Sequence, residues 1–314
     1  MKNLDGIPEE SLHGIHEIEQ DYIHGSTFLT KKSIDIIIEF TESIDFSNYQ
    51  VKDIENKYVP LLSSLINAQP QMGLIFTIAN EFLFFLDSWD NKKSKESIIS
   101  YLIERKENIS SNIALFSNYL KNIIPENKMI LTYSSGSSII DPLIQLSKEG
   151  VYFKVICSES RPRNEGIITA KTLANHSIPV TLCTDAYLFS HIDLSDIVLI
   201  GADAICQQGI VNKTGSLPLI NLAKQFDIPR YVLCDSRKII PYAYELPIEQ
   251  MKPSEDITNN IILENLSIAN NYFDYTPLDY FSYVISEQGF ISIPRIKEQM
   301  NKSLIHETLL PSLF

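Results

Sequence analysis

The sequence has few of the residues that mark an extracellular, membrane-spanning or nucleotide-dependent protein. Its 314 residues include four cysteines without a CxxC pair, 11 glycines and one tryptophan. No GxGxxG, GxxxxGK[ST] or GxSxG motif occurs, so the fingerprints of dinucleotide sites, P-loops and serine hydrolases are absent. The longest apolar stretch, residues 74–86, is interrupted by Asn80 and Glu81. It is too short to span a bilayer, so we expect no membrane insertion.

Basic residues are also scarce. Lys and Arg total 26 against 39 Asp and Glu, which gives a formal net charge of −13. Such a surface repels a phosphate backbone, so we expect no direct contact with nucleic acid, whereas a basic protein partner would suit it. Net charge says little about one site, and a local basic pocket can still hold a small anion.

Histidines and cysteines do not form a metal-binding pattern. The six histidines are scattered without an HxxxH pair, so we predict no metal and no other cofactor. Cys157, Cys183, Cys206 and Cys234 lie in or beside apolar runs, which indicates reduced, mostly buried thiols. The opening MKNLDGIPEE lacks an apolar run after its charge. We therefore expect a cytoplasmic protein.

The spacing of apolar residues changes once along the chain. Up to about residue 124 they recur at helical intervals, and we predict an all-helical domain over 1–125, with Thr30 capping one helix and Pro60 in the first turn of the next. From residue 126 onward, short β-branched runs alternate with helical segments. The runs are 129–133, 153–159, 179–183, 197–201 and 230–234. Such alternation predicts an α/β fold, a Rossmann-like domain with a parallel sheet over 126–314.

Polar residues follow each predicted strand, where an open α/β sheet binds its ligands. Ser134, Ser135 and Gly136 lie after the first run and before a helix, and can present amides and hydroxyls to an anion. Arg161 and Glu165 follow the second run. Helix capping and surface ion pairs are the alternative explanation for each of these loops taken alone.

The fourth run gives the sharpest pattern. Asp203 follows a purely apolar strand and is flanked by glycines, an arrangement that suits general acid or base chemistry. Asn212 and Lys213 come next, before a helix that we expect Ser216 to cap, and Lys213 with the amides of 214–216 can hold a phosphate. Taken with Arg161 and the serine loop at neighbouring strand ends, these residues favour a site over capping.

The ordered segments ILTYSSGSS, SESRPRNEG, IPVTLCTDA, IGADAI, GIVNKTGSLPL and FDYTPLDYFSYVISEQG carry a resemblance. They resemble the family that unites the alpha, beta and delta subunits of initiation factor 2B with methylthioribose-1-phosphate isomerase and ribose-1,5-bisphosphate isomerase. The resemblance implies a helical N-terminal domain, a dimerising Rossmann-like domain and a pocket for a sugar phosphate or nucleotide. It also implies that His24, Gly25 and Ser26 form a phosphate loop.

The resemblance implies roles for two residues and shows several departures. The isomerases shuttle a proton with an Asp and a Cys; Asp203 matches the first, but Ser134 occupies the position of the second. An aliphatic hydroxyl stays protonated unless a base partners it. Gln69 replaces an Arg, Glu165 replaces a Gln, and Ala204 replaces another Arg. The pattern indicates a ligand pocket that lacks half of its catalytic pair.

Three functions remain open. The first is a regulatory, homodimeric subunit-like protein that binds a small phosphorylated ligand, with a protein partner as a further option. The second is an aldose–ketose isomerase of a phosphorylated pentose, with Asp203 as base, Ser134 polarising the sugar and Arg161, Asn212 and Lys213 on phosphate. Cys206 or Cys157 would then be candidate substitutes for the missing thiol, although core packing is the simpler role for both. The third is an oligomerisation module with an empty pocket.

Overall fold

The computed structural model describes residues 6–46, 51–88, 94–109, 113–124, 126–258 and 263–310. Residues 1–5 and Pro125, on which two sequence-based expectations fall, lie outside these ranges. Within the described ranges, every helix is too short or too polar to cross a membrane.

Helices dominate the first 121 residues and then alternate with strands. The helices are α1 (Glu9–Gln20), α2 (Ser26–Ser43), α3 (Val51–Ala68), α4 (Gly73–Asp87), α5 (Lys95–Asn108), α6 (Ile113–Lys121), α7 (Ser137–Lys148), α8 (Gly166–Asn175), α9 (Asp185–Ser190), α10 (Ser216–Gln225) and α11 (Ile293–Lys302). The first five helices bury one apolar cluster, and the sheet domain buries two more. The predicted fold class, a Rossmann-like domain preceded by helices, is confirmed.

A seven-stranded sheet forms the centre of the second part. Its strands are β1 (Lys128–Thr132), β2 (Phe153–Ser158), β3 (Val180–Cys183), β4 (Ile197–Ile200), β7 (Arg230–Leu233), β9 (Tyr283–Ser286) and β10 (Gly289–Ile291). The order is β10-β9-β7-β4-β1-β2-β3, and only β10 runs antiparallel. All five predicted strands are present; four of them end one residue earlier than the predicted run, and β3 ends at Cys183 as predicted. The sequence does not predict β9 and β10.

The chain reverses its direction of winding between β1 and β4, which pair in the middle of this sheet. From β1 the chain proceeds to β2 and β3 on one side, and from β4 it proceeds to β7 on the other. A crevice opens at the carboxyl ends of the strands where such a reversal occurs. The loops that begin at Tyr133 and Gly201 leave these two strands, so the topology places both at that crevice.

A second, antiparallel sheet is absent from the sequence prediction. It consists of β5 (Ala204–Cys206), β6 (Gly209–Lys213) and β8 (Phe273–Thr276) in the order β5-β6-β8. Ala204, Cys206 and Val211 pack in the helical cluster, whereas Ile205 and Ile210 pack in a sheet-domain cluster. Alternate residues of the β5–β6 hairpin thus face the two cores, because side chains alternate along a strand. The hairpin joins the helical part to the sheet part.

Helix α6 packs with the sheet domain. Phe116 and Leu120 are buried in the same cluster as Ile130 of β1 and Leu143 of α7. The helical segment that ends at Lys121 therefore contributes to both parts of the fold. The division of the chain at residue 125 stays a prediction.

Three predicted helix ends are wrong. Helix α2 begins at Ser26, so Thr30 lies inside it and donates its hydroxyl to the Ser26 carbonyl at 2.7 Å. Pro60 lies within α3 instead of its first turn, which leaves the Asn56 carbonyl without an intrahelical amide donor. Helix α10 has Gly215, with φ 102°, as its cap, and Ser216 is its first residue. Tertiary packing overrides these local end signals.

Candidate functional site

A cavity of about 330 Å³ lies at the crevice between β1 and β4. The start of α2, the serine loop after β1, the turn after β4 and the end of β6 enclose it. It brings together ten of the eleven predicted site residues, which are His24, Gly25, Ser26, Ser134, Ser135, Gly136, Glu165, Asp203, Asn212 and Lys213. The strand-end argument and the proposed phosphate loop therefore converge on one place in the fold.

Two helix N-termini meet at this cavity, one from each part of the fold. Gly25 caps α2 and Gly136 caps α7, and neither helix has a side-chain cap among the described residues. The Gly25 and Gly136 carbonyls accept only amides from the third and fourth residues after them. The first amides of a helix have no carbonyl partner within the helix. Among the described residues, no acceptor takes the amides of Ser26, Thr27, Ser137 or Ser138, so these amides are available for a ligand. Both helix dipoles favour an anion here.

Glu165 is the centre of a buried polar cluster. Its Oε1 accepts a hydrogen bond from the Ser134 hydroxyl at 3.0 Å and lies 2.8 Å from Lys213 Nζ. The Glu165 and Lys213 side chains are only 10% and 6% exposed. Glu165 Oε2 has no hydrogen-bond partner in the described parts of the chain. Helix α8 fixes this carboxylate, because Glu165 is its N-cap residue.

Asp203 also lines the cavity, in the turn after β4. Its amide donates to the Val211 carbonyl at 2.8 Å, and its carbonyl accepts the Gly73 amide at 3.0 Å, so the backbone is held on both sides. Burial raises the pKa of its carboxyl, and the Glu165 charge acts in the same direction. Lys238, Lys213 and a hydrogen bond from the Ser26 side chain oppose the rise without cancelling it. The carboxyl is suited to carrying a proton.

Lys238 is a cavity residue that the sequence analysis did not select. Its side chain is buried, and Nζ donates to the Ala202 carbonyl at 2.6 Å, one residue before Asp203. Tyr272 also lines the cavity, and Lys213 Nζ lies 5.3 Å from the centre of its ring. The sequence carries a signal for Lys238, because this residue follows the end of strand β7, as the other candidate loops follow the ends of their strands. The sequence carries no such signal for Tyr272, because this residue immediately precedes strand β8, which the sequence does not predict.

The loop that carries His24 is anchored from two directions. Asp21 accepts the His24 amide at 3.0 Å and pairs with His24 Nδ1 at 2.7 Å. The Gln69 side chain donates to the Ile18 carbonyl at 2.8 Å and to the Asp21 carbonyl at 3.1 Å. Where the resemblance implies a phosphate-gripping Arg, Gln69 therefore holds the loop that borders the cavity.

The amides at the start of α10 are not free for phosphate, which corrects one expectation. Asp274 Oδ2 accepts the Gly215 amide at 2.8 Å and the Leu217 amide at 3.0 Å, and the Thr214 amide donates to the Tyr272 carbonyl at 2.7 Å. The charge that stabilises this helix end comes from the protein itself. The sequence could not show this, because Asp274 is almost 60 residues away.

We expect Asp274→Asn to remove a pH dependence of stability. Burial raises the pKa of Asp274 to about 6, although backbone hydrogen bonds oppose the rise. Between about pH 4 and pH 6 the folded state therefore holds a proton that the unfolded state has already released. The free energy of unfolding falls as pH rises through this range. The measurement is urea unfolding of both proteins at pH 4.5 and 7.5. We expect the free energy of unfolding of wild type, taken relative to that of D274N, to be about 2 kcal/mol lower at pH 7.5 than at pH 4.5. An unchanged difference would contradict the assignment.

Arg161 is the one predicted site residue that does not line the cavity. Its side chain is exposed, and Nη2 donates to the Asp256 carbonyl at 2.8 Å. Arg163 pairs with the Asp256 carboxylate at 2.6 Å. Both guanidinium groups thus tie the loop after β2 to the turn at residues 254–256.

The thiols also lie apart from the cavity. Cys157, Cys206 and Cys234 are buried and Cys183 is partly buried, and none of the four lines the cavity. Burial raises the pKa of the Cys157 and Cys234 thiols to about 12 and that of Cys183 to about 11. A neutral thiol is a poor base and nucleophile, so neither Cys206 nor Cys157 substitutes for the family's cysteine.

One group of potential metal ligands occurs among the described residues, away from the cavity. Glu55, Asp87 and His306 place ligand atoms within 4.8 Å of one another. His306 Nε2 lies 2.9 Å from Asp87, and Nδ1 accepts the Thr308 amide at 3.3 Å. These hydrogen bonds account for the group as an anchor of the C-terminal turn on α3 and α4.

Proteins of known sequence or structure are similar to this chain over most of its length. A ribose 1,5-bisphosphate isomerase of Methanocaldococcus jannaschii is 30% identical over 298 residues, which cover 93% of each chain. A Pyrococcus furiosus protein named as like subunit 2 of translation initiation factor eIF-2B is 26% identical and covers 92% of this chain and 99% of its own. The crystal structure of Pyrococcus horikoshii eIF-2B shares the fold, with a TM-score of 0.78, 24% identity and coverage of 92% and 98%.

The family model described as the initiation factor 2 subunit family matches residues 23–293. The match begins at the loop before α2 and ends at the first residue of α11, so it includes all residues that line the cavity except Asp21 and Tyr22. It confirms the resemblance carried by the strand-end segments. The chain belongs to the initiation factor 2 subunit family.

Proposed function

We propose that the protein binds a phosphorylated pentose in the cavity and interconverts its aldose and ketose forms. The observation that carries the proposal is that one cavity joins Asp203, a carboxyl whose pKa is raised by burial, to two helix N-termini without side-chain caps and to Lys213. An anion site beside an acid–base group suits proton transfer on a sugar phosphate. The relative named ribose 1,5-bisphosphate isomerase supports the same reaction class.

This proposal gives catalysis precedence over the regulatory role that the sequence alone favoured. The loss of the family's thiol was the main argument against catalysis. In the structure, Ser134 is not an isolated hydroxyl, because Glu165 accepts its hydrogen bond. The charges around the cavity are also balanced, since each buried carboxylate has a lysine nearby.

We expect a C1-phosphorylated pentose to raise the melting temperature of the protein and to be converted into a ketose. A ligand that binds only the folded state stabilises it by RT ln(1 + [L]/Kd), or about 2.7 kcal/mol at one hundred times Kd. The measurement is a thermal-shift series with ribose 1,5-bisphosphate, ribose 5-phosphate and adenosine monophosphate, followed by an assay of ketose formation. The unphosphorylated sugar is the control. An unmoved melting temperature with every phosphate would contradict the proposal.

A binding protein without turnover is the second candidate. The presence of Ser134 in place of a thiol favours it, as does the relative named after an eIF-2B subunit. This candidate predicts a thermal shift without ketose formation. It keeps the expectation of a homodimer with a further protein partner, which light scattering and co-purification would test.

A further inference from the structure

We propose that Ser134 and Glu165 act together as the second proton-transfer group of this cavity, in the role that a cysteine fills in the related isomerases. The inference rests on the proposed isomerase function. Ser134 Oγ exchanges a proton with substrate carbon, and Glu165 Oε1 holds the serine's own proton meanwhile. Asp203, which lines the same cavity, is the first group.

The geometry of Ser134 supports this role. Its backbone has φ 70°, its amide donates to Ser160 Oγ at 2.9 Å, and its carbonyl accepts from Thr169 Oγ1 at 2.9 Å. These contacts hold the residue at the lip of the crevice while its hydroxyl donates to Glu165 Oε1 at 3.0 Å. A hydroxyl needs such a partnered base before it can accept a proton.

The position of Glu165 supports the second half of the relay. The carboxylate is buried and paired with Lys213, yet Oε2 has no partner within the described ranges, so the group has unused capacity for a proton. When Oε1 takes the serine proton, the Lys213 charge loses its counterion. That charge then becomes available to the anionic substrate while negative charge develops on it, which is where electrostatic stabilisation lowers a barrier most.

The step balances for a pentofuranose phosphorylated at C1. The C2–H bond breaks, its proton passes to Ser134 Oγ, and the serine proton passes to Glu165. The C–H electron pair forms a C1=C2 bond, and the C1–O4 ring bond breaks onto O4, which takes the proton of neutral Asp203. Asp203 then takes the C2 hydroxyl proton, a C2=O bond forms, and C1 receives the proton returned through Ser134. The product is an open-chain ketose that keeps its C1 phosphate, and all three residues regain their starting states.

Ser134 and Glu165 both depart from the family pattern, and the structure couples these two departures. A serine at position 134 alone would leave an inert hydroxyl, and a glutamate at position 165 alone would place a negative charge beside the phosphate. Together they form a hydrogen-bonded pair whose charge Lys213 neutralises. The alternative is that the pair has only a structural role. The kinetics of the variants distinguish that role from proton transfer.

The test compares Ser134→Ala, Glu165→Gln, the double variant S134A/E165Q and the variant S134C/E165Q. We expect each single substitution to lower kcat by about 10²- to 10⁴-fold. Residues that act as one unit are not additive, so the double variant should lie within about threefold of the worse single variant. S134C/E165Q restores a thiol beside an amide and should regain at least about tenfold over S134A/E165Q, a rescue that a structural role does not predict.

Ligand binding gives an independent readout. Removing the Glu165 charge should leave the calorimetric Kd for inorganic phosphate unchanged or tighter in E165Q while kcat falls, because a negative charge near the anion is lost. Glu298→Gln, an exposed carboxylate in α11, is the matched control and should change neither value. Circular dichroism checks folding, and if E165Q fails to fold, S134A still tests the relay.

The outcomes are distinguishable. Wild-type protein that forms no ketose from any C1-phosphorylated pentose overturns the isomerase proposal and this inference with it. Wild-type turnover together with kcat values of S134A or E165Q within tenfold of wild type overturns the relay alone. Strictly additive losses in the double variant also overturn the relay, because they show that the two residues act separately.

Discussion

Asp203→Asn should lower the rate of ketose formation by about 10³- to 10⁴-fold while the protein stays folded and binds phosphate. The amide has nearly the same shape as the carboxyl but cannot donate the proton that the ring oxygen requires. The backbone hydrogen bonds to Val211 and Gly73 do not involve the substituted group. The measurement is kcat, with calorimetric Kd for inorganic phosphate measured alongside it.

The stability of D203N gives a check with a defined sign. Burial raises the pKa of Asp203, so the folded state holds its proton more tightly than the unfolded state, and stability declines as pH rises through the folded pKa. An amide carries no such proton, so above that pKa D203N should be at least as stable as wild type. Lower stability at pH 8 would show that the ionised carboxylate is structurally required.

Asp196→Asn is the matched control for this prediction. Asp196 immediately precedes β4, at the other end of the strand that leads to Asp203, and pairs with Lys128 at 2.8 Å. The carboxylate is 38% exposed, so losing the pair should cost at most about 1 kcal/mol. We expect its kcat to equal that of wild type. A D203N enzyme that retains more than a tenth of wild-type turnover would remove Asp203 from the proton-transfer step.

Gly166→Ala should strongly destabilise this fold. A Cβ at this position would lie 1.9 Å from the Ser158 carbonyl oxygen and 2.7 Å from Ser160 Oγ. The first obstacle is backbone at the end of β2, so the start of α8 must move. We expect a loss of about 4 kcal/mol or more in urea unfolding. Turnover should fall with it, because Glu165 is the preceding residue.

Gly150→Ala is the control that measures the cost of backbone strain in the absence of a steric clash. Gly150 has φ 88°, and an added Cβ would meet nothing within 4 Å. The variant therefore bears only the cost of a left-handed conformation, about 1 kcal/mol. Equal losses in G166A and G150A would show that the β2–α8 junction relaxes around the new methyl group.

The sequence predicted five of the seven strands of the main sheet, because those five are recognisable without knowledge of their neighbours. Ile197–Ile200 is buried at every position, and a continuous apolar run of this length is typical of a strand covered on both faces. The second sheet was missed for the converse reason. Strand β5 has three residues, and β8, with the sequence FDYT, pairs with a strand some 60 residues earlier. Its stability depends on tertiary contacts, which local pattern does not encode.

Predictability within the site follows the same division. Ser134, Glu165 and Asp203 were identified because strand ends converge in any open parallel sheet. The direction of the Arg161 side chain depends on where residues 254–257 lie, and the occupation of the α10 amides depends on Asp274. Both are long-range facts. The hydrogen bond between Ser134 and Glu165 is another, although each residue was singled out separately.

The β5–β6 hairpin has a consequence for how this protein unfolds. Ala204 and Val211 belong to the helical core, Ile205 and Ile210 to the sheet core, and the Asp203 amide is bonded to Val211 across the hairpin. The hairpin contributes side chains to both cores, so we expect unfolding to be cooperative across both. We expect loss of turnover and loss of ellipticity to follow one denaturation curve, and the amides of Asp203 and Val211 to exchange with solvent only through global opening.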